Sequence, residues 1–204
     1  ELGVIDALIT KIILRERIVR WWLGSDVWLL WAFPRGRGKL SVLKHRLKYF
    51  FTEFLVDENW MDSERLFREF VANGGQRAIT RYHIHGMLTE KTAKVKHEGI
   101  NIAYYWPKDN SLYQEEVYGL DLIWPFIRSR PRITWIRLDG TMNMREVYPC
   151  LDAYIRPSRH DGGSRLIREC RLNGIPVYWS EDGRPNLDEM ERFVDKIIQE
   201  KIHR

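Results

Sequence analysis

The sequence predicts an α/β fold of two Rossmann-like units, each built on a parallel sheet, the two facing one another across a cleft. Three observations carry that expectation. Short apolar, β-rich runs alternate with helical patterns along most of the 204 residues. The alternation occurs twice, in two halves joined by a polar stretch at 86–99 with several Lys and His. A strand, helix, strand order of this kind calls for right-handed crossovers, which join parallel neighbours.

In the first half, 6–14 reads as helix, 17–23 as strand, 39–51 as helix and 54–56 as a short strand. Helix is expected again at 63–72 and strand at 78–84. The second half opens with an apolar run at 100–105 that ends at Trp106-Pro107, followed by a helical pattern over 112–127. Strand at 133–138, a short helix at 144–150 and strand at 153–155 come next. A helix over 164–172 is stopped by Asn173-Gly174, and 175–179 is the last strand. From Asn186 an N-x-x-E pattern caps a closing helix whose stripe is Met190, Phe193, Val194 and Ile197. The expected domains are 1–98, 99–185 and the closing helix 186–204.

Composition narrows the function classes. Apolar residues at 44% and charged residues at 30% describe a globular chain rather than a disordered one. A formal charge of +5 favours an anionic partner without choosing between nucleotide, nucleic acid and acidic membrane. Nine Trp and nine Tyr are more than a core requires, and aromatic surplus also lines ligand clefts. Cys150 and Cys170 lie in apolar helical contexts and read as reduced thiols. The longest apolar run, 27–33, is far short of a membrane span and no signal-peptide pattern opens the chain. A cytoplasmic protein, peripheral at most on the inner face of a membrane, is expected; the start at Glu1 rather than Met is compatible with lost or processed upstream residues.

The loops after the second-half strands read "WPKDNS", "DGTMNM", "PSRHDGGS" and "SEDGRP". All fall at the carboxyl ends of parallel strands, the edge where doubly wound sheets bind ligands. The third, extended as "PSRHDGGSRLIRE", places adjacent glycines before a helix. Glycines let backbone approach a ligand, and the unpaired amides of the helix start favour an anion.

Several of these stretches carry a resemblance. "YGLDLI", "MNMREVYPCLDAYIRPSRHDGGSRLIREC" and "NGIPVYWS" resemble the carboxyl-terminal domain of retaining glycosyltransferases of the GT-B fold, glycosyltransferase family four in particular. "WWLGSDVW" resembles a loop of that family's amino-terminal domain. The likeness covers roughly half the chain closely and about a quarter more loosely, with 157–176 as its most specific block. Most of the usual first domain has no counterpart, so the chain resembles a minimal version.

The resemblance implies a donor-binding site. Asp161 and Glu169 match the family's pair of acidic residues eight positions apart, the first against the donor sugar and the second holding the ribose hydroxyls. Many relatives have Glu at the first position, so Asp161 is one methylene shorter. Gly162, Gly163 and Ser164 would present backbone amides to a diphosphate, with the helix dipole behind them. Relatives place Arg and Lys after the first strand of this domain; here that loop offers Lys108, with Arg156 and Arg159 able to supply charge from the third strand. Thr141 and Met144 match the loop that receives the nucleotide base, although Met144 equally suits helix core. His160 would touch donor or phosphate, or be an exposed loop histidine. Gly24, Ser25 and Asp26 would face the cleft from the acceptor side. Beside them, Trp21-Trp22-Leu23 stands where relatives carry a histidine, and the tryptophans either stack on a sugar or fill core.

Arg35 to Phe51 interleaves basic residues with Leu40, Leu43, Leu47 and Phe50 at helical spacing. One face is expected to bury while the other presents Lys44, Arg46 and Lys48, either solvated or laid on anionic lipid. The function implied is transfer of a sugar from a nucleoside diphosphate sugar, UDP-linked in the first instance, with retention. No D-x-D metal motif stands out, and neither metal nor cofactor is implied; basic groups and the helix dipole take the metal's place. The acceptor is left open between a lipid-phosphate and a glycan. A non-catalytic nucleotide-sugar or glycan-binding module is the alternative, while nucleic-acid binding lacks a recognisable stacking module.

Overall fold

The computed structural model describes residues 4–22, 25–33, 36–81, 88, 90–108, 112–160, 164–180 and 182–203. It divides into two compact units, Glu1–His83 and Ile84–Arg204.

In the first unit, α1 (Val4–Leu8) continues into a π-helical turn and is followed by β1 (Val19–Trp22), α2 (Ser25–Trp28), α3 (Lys39–Glu53), β2 (Glu58–Met61), α4 (Glu64–Ala72) and β3 (Ala78–Thr80). The strands pair in parallel in the order β1-β2-β3. Trp22, Val27, Met61, Leu66 and Phe70 form the core of this unit. Asn59, fully buried on β2, accepts from Trp22 Nε1 at 2.9 Å and donates to Glu53 Oε1 and the Gln76 carbonyl. A buried amide with all these partners costs little and locks strand to helix. Ser63 caps α4 by accepting the Leu66 amide.

Three sequence expectations are corrected here. Residues 54–56 are not a strand: Phe54 caps the end of α3, and Leu55 and Val56 bury against Ala7 and Ile18 in a turn. The β-rich look of Phe-Leu-Val reflects burial, and the strand follows at Glu58. The stretch "GSDVW" carries the short helix α2 rather than a plain loop. On α3 the apolar stripe lies outward rather than inward, with Lys44 exposed as expected. Leu40, Leu43, Leu47 and Phe50 are exposed, whereas Val42 and Thr52 are buried. Arg46 turns inward and donates to the Leu29 and Ala32 carbonyls at 3.0 and 2.9 Å. Helical periodicity identifies a stripe but not the side on which it lies; Val42, Tyr49 and hydrogen-bonded polar groups hold the inner face.

In the second unit, β4 (Asn101–Tyr105) leads through α5 (Leu112–Tyr118) and α6 (Leu120–Arg128) to β5 (Thr134–Leu138). Then come α7 (Met144–Val147) with a 3₁₀ turn, β6 (Ala153–Arg156), α8 (Arg165–Leu172), β7 (Val177–Trp179) and α9 (Leu187–Ile202). All strands are parallel, in the order β5-β4-β6-β7. Ile102, Tyr104, Ile123 and Phe126 pack with Val194 and Ile197 of α9 in one core cluster. Ala103, Leu138, Tyr154, Ile167 and Cys170 belong to the other. Burial pushes the Cys170 thiol up to about 12, so it is inert as a nucleophile. Asn186 caps α9 by accepting the Asp188 and Glu189 amides, and Met190, Val194 and Ile197 face inward as the stripe predicts.

The helical pattern over 112–127 is two helices rather than one. Gly119, at φ 66°, breaks it between α5 and α6. The described part of the 86–99 stretch, residues 88 and 90–99, packs on the second unit. Thr92 donates its amide and hydroxyl to Asn173 Oδ1, and the Val95 amide meets the Pro149 carbonyl. Lys201 and His97 both reach Asp152.

Candidate functional site

From β4 the chain builds outward to β5, then crosses back to place β6 on the other side of β4. The order β5-β4-β6-β7 therefore reverses between β4 and β6. Strand-end loops diverge at such a reversal and leave a crevice beyond the carboxyl edge. Lys108, exposed, follows β4, and residues 157–164 follow β6.

The loop after β6 is clamped by the break between α5 and α6. A Cβ on Gly119 would stand 2.1 Å from the Pro157 carbonyl oxygen, so only glycine lets the two backbones approach. The Arg159 and His160 amides both point to the Val117 carbonyl, at 2.9 and 3.4 Å. Arg159 also makes paired 2.7 Å hydrogen bonds to the two carboxylate oxygens of Asp121 and a 3.2 Å bond to the Glu116 carbonyl. Ser180 Oγ donates to the Ser158 carbonyl, which joins the ends of β6 and β7.

Arg156, 7% exposed, closes the strand end. Its guanidinium lies 4.8 Å from the ring centre of Tyr105 and 5.1 Å from that of Tyr118, and it donates to Tyr154 Oη. The aromatic faces stabilise the cation where water is scarce. His160, four residues on, is also buried, at 4% exposure. Ser164 is the N-cap residue of α8, whose first turn carries no acidic side chain. The helix start keeps its positive end unneutralised from within.

The Asp121 carboxyl is held below its ordinary range, first by the hydrogen bonds from Arg159 and against the opposing effect of burial. A depressed folded value means the contribution is present above the unfolded value and disappears as pH falls through the folded one. Asp121→Asn is expected to be less stable than the parent at neutral pH by under about 1 kcal/mol, because Asp121 is half-exposed. The two melting temperatures converge below about pH 4; a difference unchanged in acid would show that the pair does not hold the loop.

Glu169 sits apart from the loop, in the body of α8, and is 2% exposed. Its Oε1 accepts the Leu88 amide at 2.7 Å and its Oε2 accepts the Tyr148 hydroxyl. Burial and this carboxylate together push the Tyr148 phenol far above its ordinary value. Arg165, one turn earlier, lies 3.7 Å away. Glu169 is therefore not a solvated surface residue, and two of its carboxylate lone-pair positions are taken by protein donors.

At the end of β5, Thr141 donates both its amide and its hydroxyl to Asp139 Oδ1, at 2.9 and 2.6 Å, in an exposed turn. Met144 is half-buried against the core cluster around Leu138 and Tyr148. In the first unit, Ser25 opens α2, and Asp26 lines a cavity of about 230 Å³ beside β1 with Arg20, His45 and Tyr49. Gly24, Asp161, Gly162 and Gly163 lie outside the described residues. The described geometry thus gathers Lys108, Thr141, Arg156, Arg159, His160 and Ser164 at one sheet edge, with Glu169 one helix layer behind. Gly119, Asp121, Tyr105, Tyr118 and Tyr148 also support the site; Tyr118, Gly119, Asp121 and Tyr148 fall in stretches that carry the family resemblance, but their partners lie in other elements and no role for them follows from the sequence alone.

No protein-family model and no curated protein matches the sequence. Solved structures do. Anabaena Alr3699/HepE in complex with UDP-glucose matches 97% of this chain and 67% of its own, with a TM-score of 0.63 at 12% identity. The same protein in complex with UDP gives 0.60 at 11%. TarM matches 90% of this chain with a TM-score of 0.53 at 9% identity, and only 43% of TarM is covered. The chain thus spans two thirds of HepE and less than half of TarM. The likeness is one of fold: these neighbours are GT-B glycosyltransferases, and the chain shares their GT-B type of architecture, two Rossmann-like units on parallel sheets.

Proposed function

We propose that the chain is a glycosyltransferase, or the donor-handling part of one, that takes a sugar from a nucleoside diphosphate sugar. The observation that carries this reading is the convergence at the reversal between β4 and β6: the start of α8, the clamped loop before it and the Arg156 cation all meet one carboxyl edge. Such an edge suits a pyrophosphate. HepE, which shares the fold, is bound to UDP-glucose, and this supports UDP as the nucleotide.

In this reading the amides of Gly162, Gly163 and the start of α8 receive the diphosphate, and Lys108 and Arg156 balance its charge. Asp161 meets the donor sugar, His160 flanks it and Arg159 holds the loop in shape. Glu169 uses its remaining lone pairs for the ribose hydroxyls, while Thr141 and Met144 border the base. Gly24, Ser25 and Asp26 belong to the acceptor side, for a lipid-linked or glycan hydroxyl. The anomeric carbon–oxygen bond to the diphosphate breaks as the acceptor oxygen bonds to the same face. The acceptor proton passes to the departing phosphate oxygen, which gives retention without a metal or a protein nucleophile. Preorganised amides and cations stabilise the charge that develops on the leaving group.

The test is a thermal melt followed by turnover. At one hundred times its Kd, UDP would raise stability by about 2.7 kcal/mol. UDP-glucose is expected to release UDP in the presence of a chelator. Stabilisation without any release would favour the non-catalytic binding module, and neither effect would remove the reading altogether.

A further inference from the structure

Among the described residues, the outer face of α3 is a large exposed apolar surface, and a second lies along residues 5–14, where Ile5, Ile12, Ile13 and Leu14 are exposed. Leu40, Leu43, Leu47, Phe50 and Phe51, with Phe54 at the helix end, are 47–80% exposed. At 100° per residue they fall within one narrow stripe running the length of the helix. The inner face is mixed: Val42 is buried and Tyr49 packs on Trp22 and Phe70, while Arg46 bonds to the Leu29 and Ala32 carbonyls, Thr52 Oγ1 to the Lys48 carbonyl, and Glu53 to Arg20 and Asn59. An exposed apolar stripe of this extent marks a surface that meets a partner or a membrane.

Charge identifies the cover. Residues 35–48 contain no acidic residue and, besides the inward-turned Arg46, carry Arg35, Arg37, Lys39, Lys44 and Lys48. On the helix, Lys39 and Lys44 are exposed on opposite flanks of the stripe. Long cationic side chains beside an apolar stripe extend their stems over it and hold their charges at the level of phosphate headgroups. No described helix is long and apolar enough to cross a membrane, so the arrangement fits a helix lying in the interface plane. We infer that α3 docks the protein on an anionic lipid surface, its Leu/Phe stripe at the acyl boundary and Lys39 and Lys44 on the headgroups.

The experiment is sedimentation of the whole chain, without nucleotide, with vesicles of phosphatidylcholine alone or with roughly one third phosphatidylglycerol. The chain is expected to bind the anionic vesicles, and binding is expected to fall as salt rises. Leu43→Ser/Leu47→Ser removes binding at unchanged circular dichroism, since both side chains are exposed. Lys39→Gln/Lys44→Gln lowers the partition on the order of thirty-fold. Failure to bind anionic vesicles, or equal binding by the serine variant, overturns the inference. So does a stable dimer that Leu47→Ser dissolves in a chain that ignores lipid, because the stripe is then covered by polypeptide. Because no nucleotide is present, the outcome does not depend on the donor site.

Discussion

Gly119→Ala is expected to destabilise the second unit by about 3 kcal/mol and to disorder the loop after β6. Two effects add. At φ 66° an alanine sits in the left-handed region, which costs about 1–2 kcal/mol. Its Cβ would also stand 2.1 Å from the Pro157 carbonyl oxygen, a backbone atom that cannot swing aside as a side chain can. Relief requires parting α5 and α6 from the loop, which removes the Val117 carbonyl from the Arg159 amide and strains the Arg159–Asp121 pair. A melting temperature lower by roughly 10 °C, together with weakened UDP binding, is the expected result. An unchanged melting temperature would mean that the close approach of these two backbones does not exist in solution.

The second large effect is at Glu169, and the two obvious substitutions should separate. Glu169→Ala leaves the Leu88 amide and the Tyr148 hydroxyl without their acceptor inside the protein, at a cost of about 3 kcal/mol. Glu169→Gln keeps the volume and one carbonyl oxygen for Leu88, and Tyr148 can turn its hydroxyl to accept from the new amide. That variant should stay within about 1 kcal/mol of the parent and yet bind UDP at least roughly tenfold more weakly, having lost charge-assisted bonds to the ribose. Calorimetry with UDP and 2′-deoxy-UDP reads the difference. The parent should prefer UDP and the glutamine variant should not. A preserved preference in the glutamine variant would confine Glu169 to fastening Leu88 and Tyr148 to α8.

How much of this was visible in the residues can be judged element by element. The alternation that places strands at 101–105, 134–138, 153–156 and 177–179 is a local signal, and so is the Asn186 cap; both are written in short-range patterns. The break at Gly119 is not, because its reason is a carbonyl thirty-eight residues later in the chain. Strand β2 was displaced onto Phe54–Val56 because burial in a helix-end turn imitates β composition. The direction of the α3 stripe depends on what stands beside the helix, which periodicity cannot contain. At the site, the helix at 165–172 and its stop at Asn173-Gly174 are legible from helical periodicity and the Asn-Gly terminator. The burial of Glu169, the aromatic enclosure of Arg156 and the Arg159–Asp121 clamp all depend on partners from other elements.

In the proposed function the start of α8 and the loop before it receive a diphosphate. Amide NMR titration compares UDP with uridine, which lacks phosphate. The expected result is that UDP shifts the amides of residues 157–166 and uridine leaves them in place. If UDP shifts only amides remote from the carboxyl edge of β4 and β6, or if uridine reproduces the same pattern, the diphosphate is not held there.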